Sequence, residues 1–150
     1  MKGLTLENIA KACGGKLFLL KGDDAEKEAL AIIIDSRKFT EGCVFTATKG
    51  ERVDGHSFIP DMWEKGALAV ICEDVPAEIK GNYILVESSF QALKDIAEFY
   101  RMQLDVKIVG VTGSVGKTST KEMIASVLSV KFRTQKTAGN FNNEVGVPLT

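Results

Sequence analysis

Hydrophobic and polar positions change period several times along the chain, and each period predicts an element. Leu6, Ile9, Ala10 and Cys13 recur at helical spacing behind Thr5, which predicts a short helix over 6–13 ended by Gly14 and Gly15. Residues 16–20 read as a strand, and Gly22-Asp23-Asp24 as a turn. The β-branched apolar run at 30–34 predicts a buried strand with Asp35-Ser36-Arg37 at its end. Further short strands are predicted at 44–47, 69–72 and 83–86. Between them, 56–65 reads as a helix opened by Ser57 and closed by Gly66. Phe90, Leu93, Ile96, Ala97 and Tyr100 form the apolar stripe of a helix over 89–102, with Ser88 and Gln91 as a capping box. After a break at 103–105, a strand at 107–111 and a helix at 117–130 follow.

Strands alternating with helices predict an α/β fold, a small N-terminal domain followed by the start of a second. The expected boundaries are 1–105 and 106–150, the second unit holding one strand, one helix and a loop. Composition agrees with a globular chain: 150 residues, 45% hydrophobic and 26% charged. Lysines and arginines number 19 against 20 acids, a net charge of −1, which lacks the basic field that nucleic-acid binding leans on. The apolar run 29–34 is far shorter than a membrane span, and Lys2, Glu7 and Asn8 interrupt any secretory core, so the expectation is a cytoplasmic protein; a monomer is expected. Cys13, Cys43 and Cys72 sit in apolar company with no Cys-x-x-Cys pair, and there is one His, so buried free thiols are expected and a zinc site is not.

The strongest chemical signal is Val109-Gly110-Val111-Thr112-Gly113-Ser114-Val115-Gly116-Lys117-Thr118-Ser119-Thr120. An apolar segment leads into a glycine-containing loop and then Gly-Lys-Thr at the head of a helix, the context of a phosphate loop. Gly113 and Gly116 allow close backbone approach to phosphate oxygens, together with the amides of Ser114, Val115, Lys117, Thr118 and Ser119. Lys117 is placed to reach the β/γ-phosphates as the catalytic cation, and Thr118 to hold Mg²⁺. The spacing departs from the common G-x-x-x-x-G-K-[ST]: position 111 is Val, and the glycines stand at 110 and 113. An ordinary strand-to-helix turn is the bland alternative.

In this form, T-G-S-x-G-K-T-S, the loop resembles that of the Mur ligases, the amide ligases that build the peptidoglycan stem peptide. The likeness extends downstream through Lys121-Glu122-Met123 and Thr137-Ala138-Gly139-Asn140-Phe141-Asn142-Asn143-Glu144-Val145-Gly146-Val147-Pro148-Leu149-Thr150, and upstream through Asp35-Ser36-Arg37, Gly42-x-Val44-Phe45-x-Ala47 and Lys49-Gly50-x-x-x-Asp54-Gly55-His56-x-Phe58-Ile59. The downstream block is similar to the branch that adds D-alanyl-D-alanine to UDP-N-acetylmuramoyl-tripeptide. A sister branch that adds a single amino acid is the alternative, as is a sugar-nucleotide-binding module without catalysis. An unrelated P-loop kinase or GTPase is disfavoured by the long segment before the loop.

The resemblance implies ATP and Mg²⁺ as cofactors. It implies a two-step reaction in which a peptide carboxylate takes the γ-phosphoryl group and an amine then displaces phosphate from the acyl phosphate. It also implies a UDP-sugar site in the first domain, with Ser36, Arg37, Lys49, Asp54 and His56 as candidates, and Asn140, Asn142 and Asn143 near the phosphates. Each has a plainer reading. Arg37, whose planar fork suits a diphosphate, could pair with Asp35 or Glu41. Residues 49–56 could be a solvated turn, His56 a helix cap, and the asparagines a turn. Phe45 and Phe58 read as core, and Lys131, Arg133 and Lys136 as a solvated face. After Thr118 the only acids are Glu122 and Glu144, neither ending a strand that could complete a Mg²⁺ site. The chain is therefore expected to be the N-terminal part of a longer ligase, inactive by itself.

Overall fold

A computed structural model describes residues 3–50, 53–139 and 145–149. The chain divides into two compact units, one up to Gln103 and one from Leu104.

The first unit is a five-stranded sheet of β1 (Lys16–Phe18), β2 (Ala31–Ile33), β3 (Cys43–Thr46), β4 (Ala69–Cys72) and β5 (Tyr83–Leu85), in the order β1-β5-β4-β3-β2. β2 through β5 run parallel, in register Ala31↔Cys43, Val44↔Ala69 and Val70↔Tyr83. β1 closes one edge antiparallel to β5, an orientation the hydrophobic pattern did not reveal. Helix α1 (Leu6–Ala12) starts at Thr5, whose hydroxyl accepts from the amide of Asn8 at 3.1 Å, and ends at Gly14. Helix α3 spans Ser89–Met102.

Alternate strand residues face opposite layers, as a period of two demands. Val44, Ala69, Ile71 and Ile84 meet Leu6, Ile9, Ala92 and Ile96 of α1 and α3. Cys43, Phe45, Val70, Cys72 and Tyr83 meet Ile59, Met62 and Trp63 on the other face. Both faces are covered, which explains why β3 and β4 are buried at every position and read as unbroken apolar runs.

Several expectations are corrected. The predicted helix at 56–65 is a 3₁₀ turn over Gly55–Phe58 followed by α2 (Ile59–Glu64). Asp54 opens the turn by accepting the amide of His56 at 2.9 Å, whereas Ser57 only donates to the Asp54 carbonyl. Phe45 is fully buried, but Phe58 is exposed because it sits at the junction of turn and helix. The capping box of α3 is half formed: Ser88 accepts from Gln91, but the Gln91 side chain bonds Asp95. The two strand-borne thiols are buried and Cys13 half-buried, all three free.

In the second unit, α4 runs Lys117–Ser129. The strand predicted at 107–111 is absent: this segment has no regular structure, and Val106, Ile108 and Val109 are exposed. A strand exists through hydrogen bonds to a neighbour, and none of the described residues of this unit forms one.

One residue joins the end of β1, the start of β5 and α2. Asn82 is buried. Its Oδ1 accepts from the amide of Leu20 at 2.8 Å, and its Nδ2 donates to Asp23 at 2.9 Å and to the Leu68 carbonyl at 3.0 Å. Its own carbonyl accepts from the Trp63 indole at 3.1 Å. Replacing Asn82 with Ala orphans the Leu20 amide and Leu68 carbonyl, and should lower unfolding free energy by about 2–4 kcal/mol. Urea denaturation at unchanged slope checks this; a loss below about 0.5 kcal/mol would refute the role of this residue.

Candidate functional site

Parallel pairing sends β2, β3, β4 and β5 out of the sheet along one edge, where open α/β sheets bind ligands. The segment after β2 carries Asp35, Ser36 and Arg37; that after β3 carries Lys49, Asp54 and His56; that after β4 carries Glu73 and Asp74. Five predicted residues of the first unit thus follow two adjacent strands.

Asp35 opens a 3₁₀ turn over Ser36–Lys38, accepting from the Arg37 amide at 3.0 Å. The Arg37 guanidinium grips the same carboxylate twice, Nε to Oδ1 at 2.9 Å and Nη2 to Oδ2 at 2.7 Å. Its hydrogen bonds hold the Asp35 carboxyl down at about 2. The local ion pair weighed from the sequence therefore exists. The Arg37 side chain is 87% exposed, so its charge is also presented to solvent.

Lys49, Asp54 and His56 are drawn together by β4. Lys49 and Asp54 form an isolated antiparallel bridge at the base of the loop. The Lys49 ammonium lies 2.9 Å from Asp74 and 3.5 Å from Glu73, and the Asp74 hydrogen bond foremost raises its pKa. His56 Nε2 accepts from the Glu73 amide at 3.0 Å, so the ring proton belongs on Nδ1, which faces Asp54 at 2.7 Å. Hydrogen bonds from the His56 amide, then from its ring, lower the Asp54 pKa. Glu73 also accepts the Ser89 amide at the head of α3, at 2.9 Å. Sequence reasoning missed Glu73 and Asp74. The signal that would have found them is their position directly after a strand, the same one that marked Asp35 and Ser36.

In the second unit, Gly116 stands at the head of α4 with φ +81°, and Gly113 has φ +148°. Both values suit glycine, which has no Cβ to strain a positive φ. α1 and α3 are capped by Thr5 and Ser88, but no side chain caps α4. Its first-turn amides are thus available as anion donors, reinforced by the helix dipole. The Lys117 ammonium donates to the Gly113 carbonyl, folding back over the loop. Ser114, Val115, Thr118 and Ser119 are exposed. One turn along the helix, Lys121 donates to the carbonyls of Thr137 at 2.6 Å and Gly139 at 3.0 Å, tying that segment to α4. Asn140, Asn142 and Asn143 lie outside the described residues. Among the described residues no group of three His, Cys, Asp or Glu forms a metal cluster, and no helix is long and apolar enough to cross a membrane.

Two family models match the chain: Mur ligase family, catalytic domain, over residues 30–102, and Mur ligase middle domain over 111–150. The chain is 40% identical over 148 residues to the UDP-N-acetylmuramoyl-tripeptide–D-alanyl-D-alanine ligase of Bacillus subtilis, covering 97% of itself and 32% of that protein. It is 38% identical over 150 residues to the Escherichia coli ligase of the same name, covering all of itself and 32% of the relative. The chain thus spans about a third of the length of these curated relatives. Among solved structures, MurF from Acinetobacter baumannii superposes with a TM-score of 0.86 at 35% identity, over 96% of this chain and 31% of that one. MurF from Thermotoga maritima in complex with ADP gives 0.73 at 41% identity, over 79% and 28%. With matches running through both units, the chain belongs to the Mur ligase family.

Proposed function

We propose that this chain is the N-terminal part of an ATP-dependent ligase of the MurF type, which joins D-alanyl-D-alanine to UDP-N-acetylmuramoyl-tripeptide in cytoplasmic peptidoglycan synthesis. The observation that carries the reading is the uncapped, glycine-opened head of α4 with Lys117 folded over it, in a chain whose likeness to MurF ligases spans both units. Residues 1–105 form the UDP-sugar-binding domain and 106–150 the start of the ATP-binding domain.

Ser36, Arg37 and Lys49 face the diphosphate side of the sugar nucleotide, and the Asp54–His56 turn shapes the loop beside it. Gly113, Ser114, Val115, Gly116, Lys117, Thr118 and Ser119 cradle the ATP phosphates. The donor set fits: backbone amides and an ammonium for the anion, and the Thr118 hydroxyl for Mg²⁺. Held there, Mg²⁺ would supply charge neutralisation for the transferring phosphoryl group. Lys117 does the same from the protein side, leaving Gly113 for the phosphate; the peptide carboxylate takes the γ-phosphoryl group as ADP leaves, and the amine then displaces phosphate from the acyl phosphate. The family resemblance also assigns Asn140, Asn142 and Asn143 to substrate binding. The protein works as a monomer without nucleic acid or membrane.

Calorimetric titration of the 150-residue chain should detect binding of UDP-N-acetylmuramoyl-tripeptide and of UDP. Arg37→Ala should weaken both by about tenfold, the scale of one charge-assisted contact. Unchanged affinity would remove Arg37 from the site.

The same variant frees Asp35. Its folded pKa of about 2 lies below the ordinary 3.8, so its stabilising pair is complete above pH 4 and lost as the pH falls toward 2. Carboxyl NMR should show the Asp35 pKa rising from about 2 toward 3.8 in Arg37→Ala, held short of it by the main-chain amide of position 37; persistence near 2 would contradict the pairing.

Grafted in place of the matching third of the Bacillus subtilis ligase, the segment should support D-alanyl-D-alanine-dependent ADP release. Lys117→Ala in that graft should lower turnover by at least about a hundredfold. Undiminished turnover would sink the phosphate-loop assignment.

A further inference from the structure

We propose that Glu73 is the positioning residue of the 49–56 loop, and that Asp74 is a displaceable counter-ion whose place on Lys49 the ligand's phosphate takes. This deepens the UDP-sugar reading above and rests on it.

The two neighbouring carboxylates are built differently. The Glu73 side chain is only 19% exposed, and one of its oxygens already holds the Ser89 amide at 2.9 Å. Its main-chain N–H holds His56 Nε2. It therefore touches three segments of the sheet edge: the loop through Lys49 and His56, its own strand end, and the head of α3. Asp74 is 75% exposed, and the contact the structure gives its side chain is Lys49 at 2.9 Å. An exposed pair of this kind is screened by water and contributes little, whereas a half-buried carboxylate with fixed donors stays where it is.

His56 has both ring nitrogens engaged, Nε2 by Glu73 and Nδ1 by Asp54, so it braces the loop. Among the described residues of this loop, Lys49 is then the cation that can change partners. An incoming diphosphate oxygen offers more charge than one carboxylate, so Lys49 exchanges Asp74 for phosphate and stays beside Glu73.

Asp74→Asn and Glu73→Gln remove one negative charge each from the vicinity of Lys49. If charge alone mattered, both would tighten an anionic ligand. The proposal expects opposite signs. Titrated with UDP and with UDP-N-acetylmuramoyl-tripeptide, Asp74→Asn should bind about threefold tighter because no counter-ion has to leave. Glu73→Gln should bind about fivefold weaker because Lys49 loses its anchor. The Gln carbonyl can still accept the Ser89 amide, so the melting temperature should hold. Glu73→Asp, which keeps the charge but shortens its reach, should also weaken binding.

Tightening by either Glu73 variant, or weakening by Asp74→Asn, would overturn the proposal. Imidazole ¹⁵N shifts should show the Nδ1–H form of His56 in the wild type and in Glu73→Gln, since the main chain of residue 73 sets it; the Nε2–H form would overturn the brace. Failure of the wild type to bind either ligand would overturn the UDP-sugar reading and the exchange with it. Binding with both charge-removing variants moving the same way would overturn the exchange alone.

Discussion

Parallel pairing of β2 through β5 is the constraint on which the first unit depends. A parallel pair cannot be joined by a tight hairpin, so each connection must return across a face of the sheet before the next strand begins. α2, in the connection from β3 to β4, covers one face, and α1 and α3 cover the other, so the central strands are apolar on both sides while parallel pairing leaves their polar exits at a single edge. The core and the candidate UDP-sugar site are therefore two results of one topology. Burial of Phe45, Met62 and Ile71 holds the strands together, at roughly 1.5–3 kcal/mol for each large side chain. The exits carry Asp35, Lys49, Glu73 and their neighbours because these positions are free of the core.

The two edges of this sheet differ in how they treat polar groups. At the edge where β5 begins, Asn82 is buried with its amide fully partnered, and it serves as a joint. At the exit edge the charges are half-exposed and paired with close neighbours: Arg37 with Asp35, Lys49 with Asp74. Pairs of that kind are cheap to exchange, which suits the anionic ligand proposed for this surface. The second unit shows another solution, where the head of α4 offers its amides and Lys117 rests on a loop carbonyl.

Element type was legible wherever the pattern was strong. Helix α3 was readable to the residue, because Ser88 and a five-residue apolar stripe define it locally. The glycine-containing loop and the helix it opens were equally plain, since Gly113 and Gly116 take positive φ and α4 begins at Lys117. The strand read at 107–111 was not borne out. Val106, Ile108 and Val109 have strand propensity, but propensity does not supply a neighbour. The junction at 54–59 was misplaced because Asp54 and Ser57 are both competent caps, and the fold selects Asp54 by tying its partner His56 to β4.

By itself, then, the amino-acid sequence determined the α/β class, the presence of the four helices and of the five strands of the first unit, and the Gly-Lys-Thr head of α4, all properties of short windows. Only the tertiary structure decided the strand order, the antiparallel entry of β1, and the company that Lys49 keeps. Glu73 and Asp74 lie about two dozen residues beyond Lys49 in the chain, yet within 3.5 Å and 2.9 Å of it in space. No periodicity encodes that meeting; it comes from the parallel register of β3 with β4, which brings their carboxyl ends side by side.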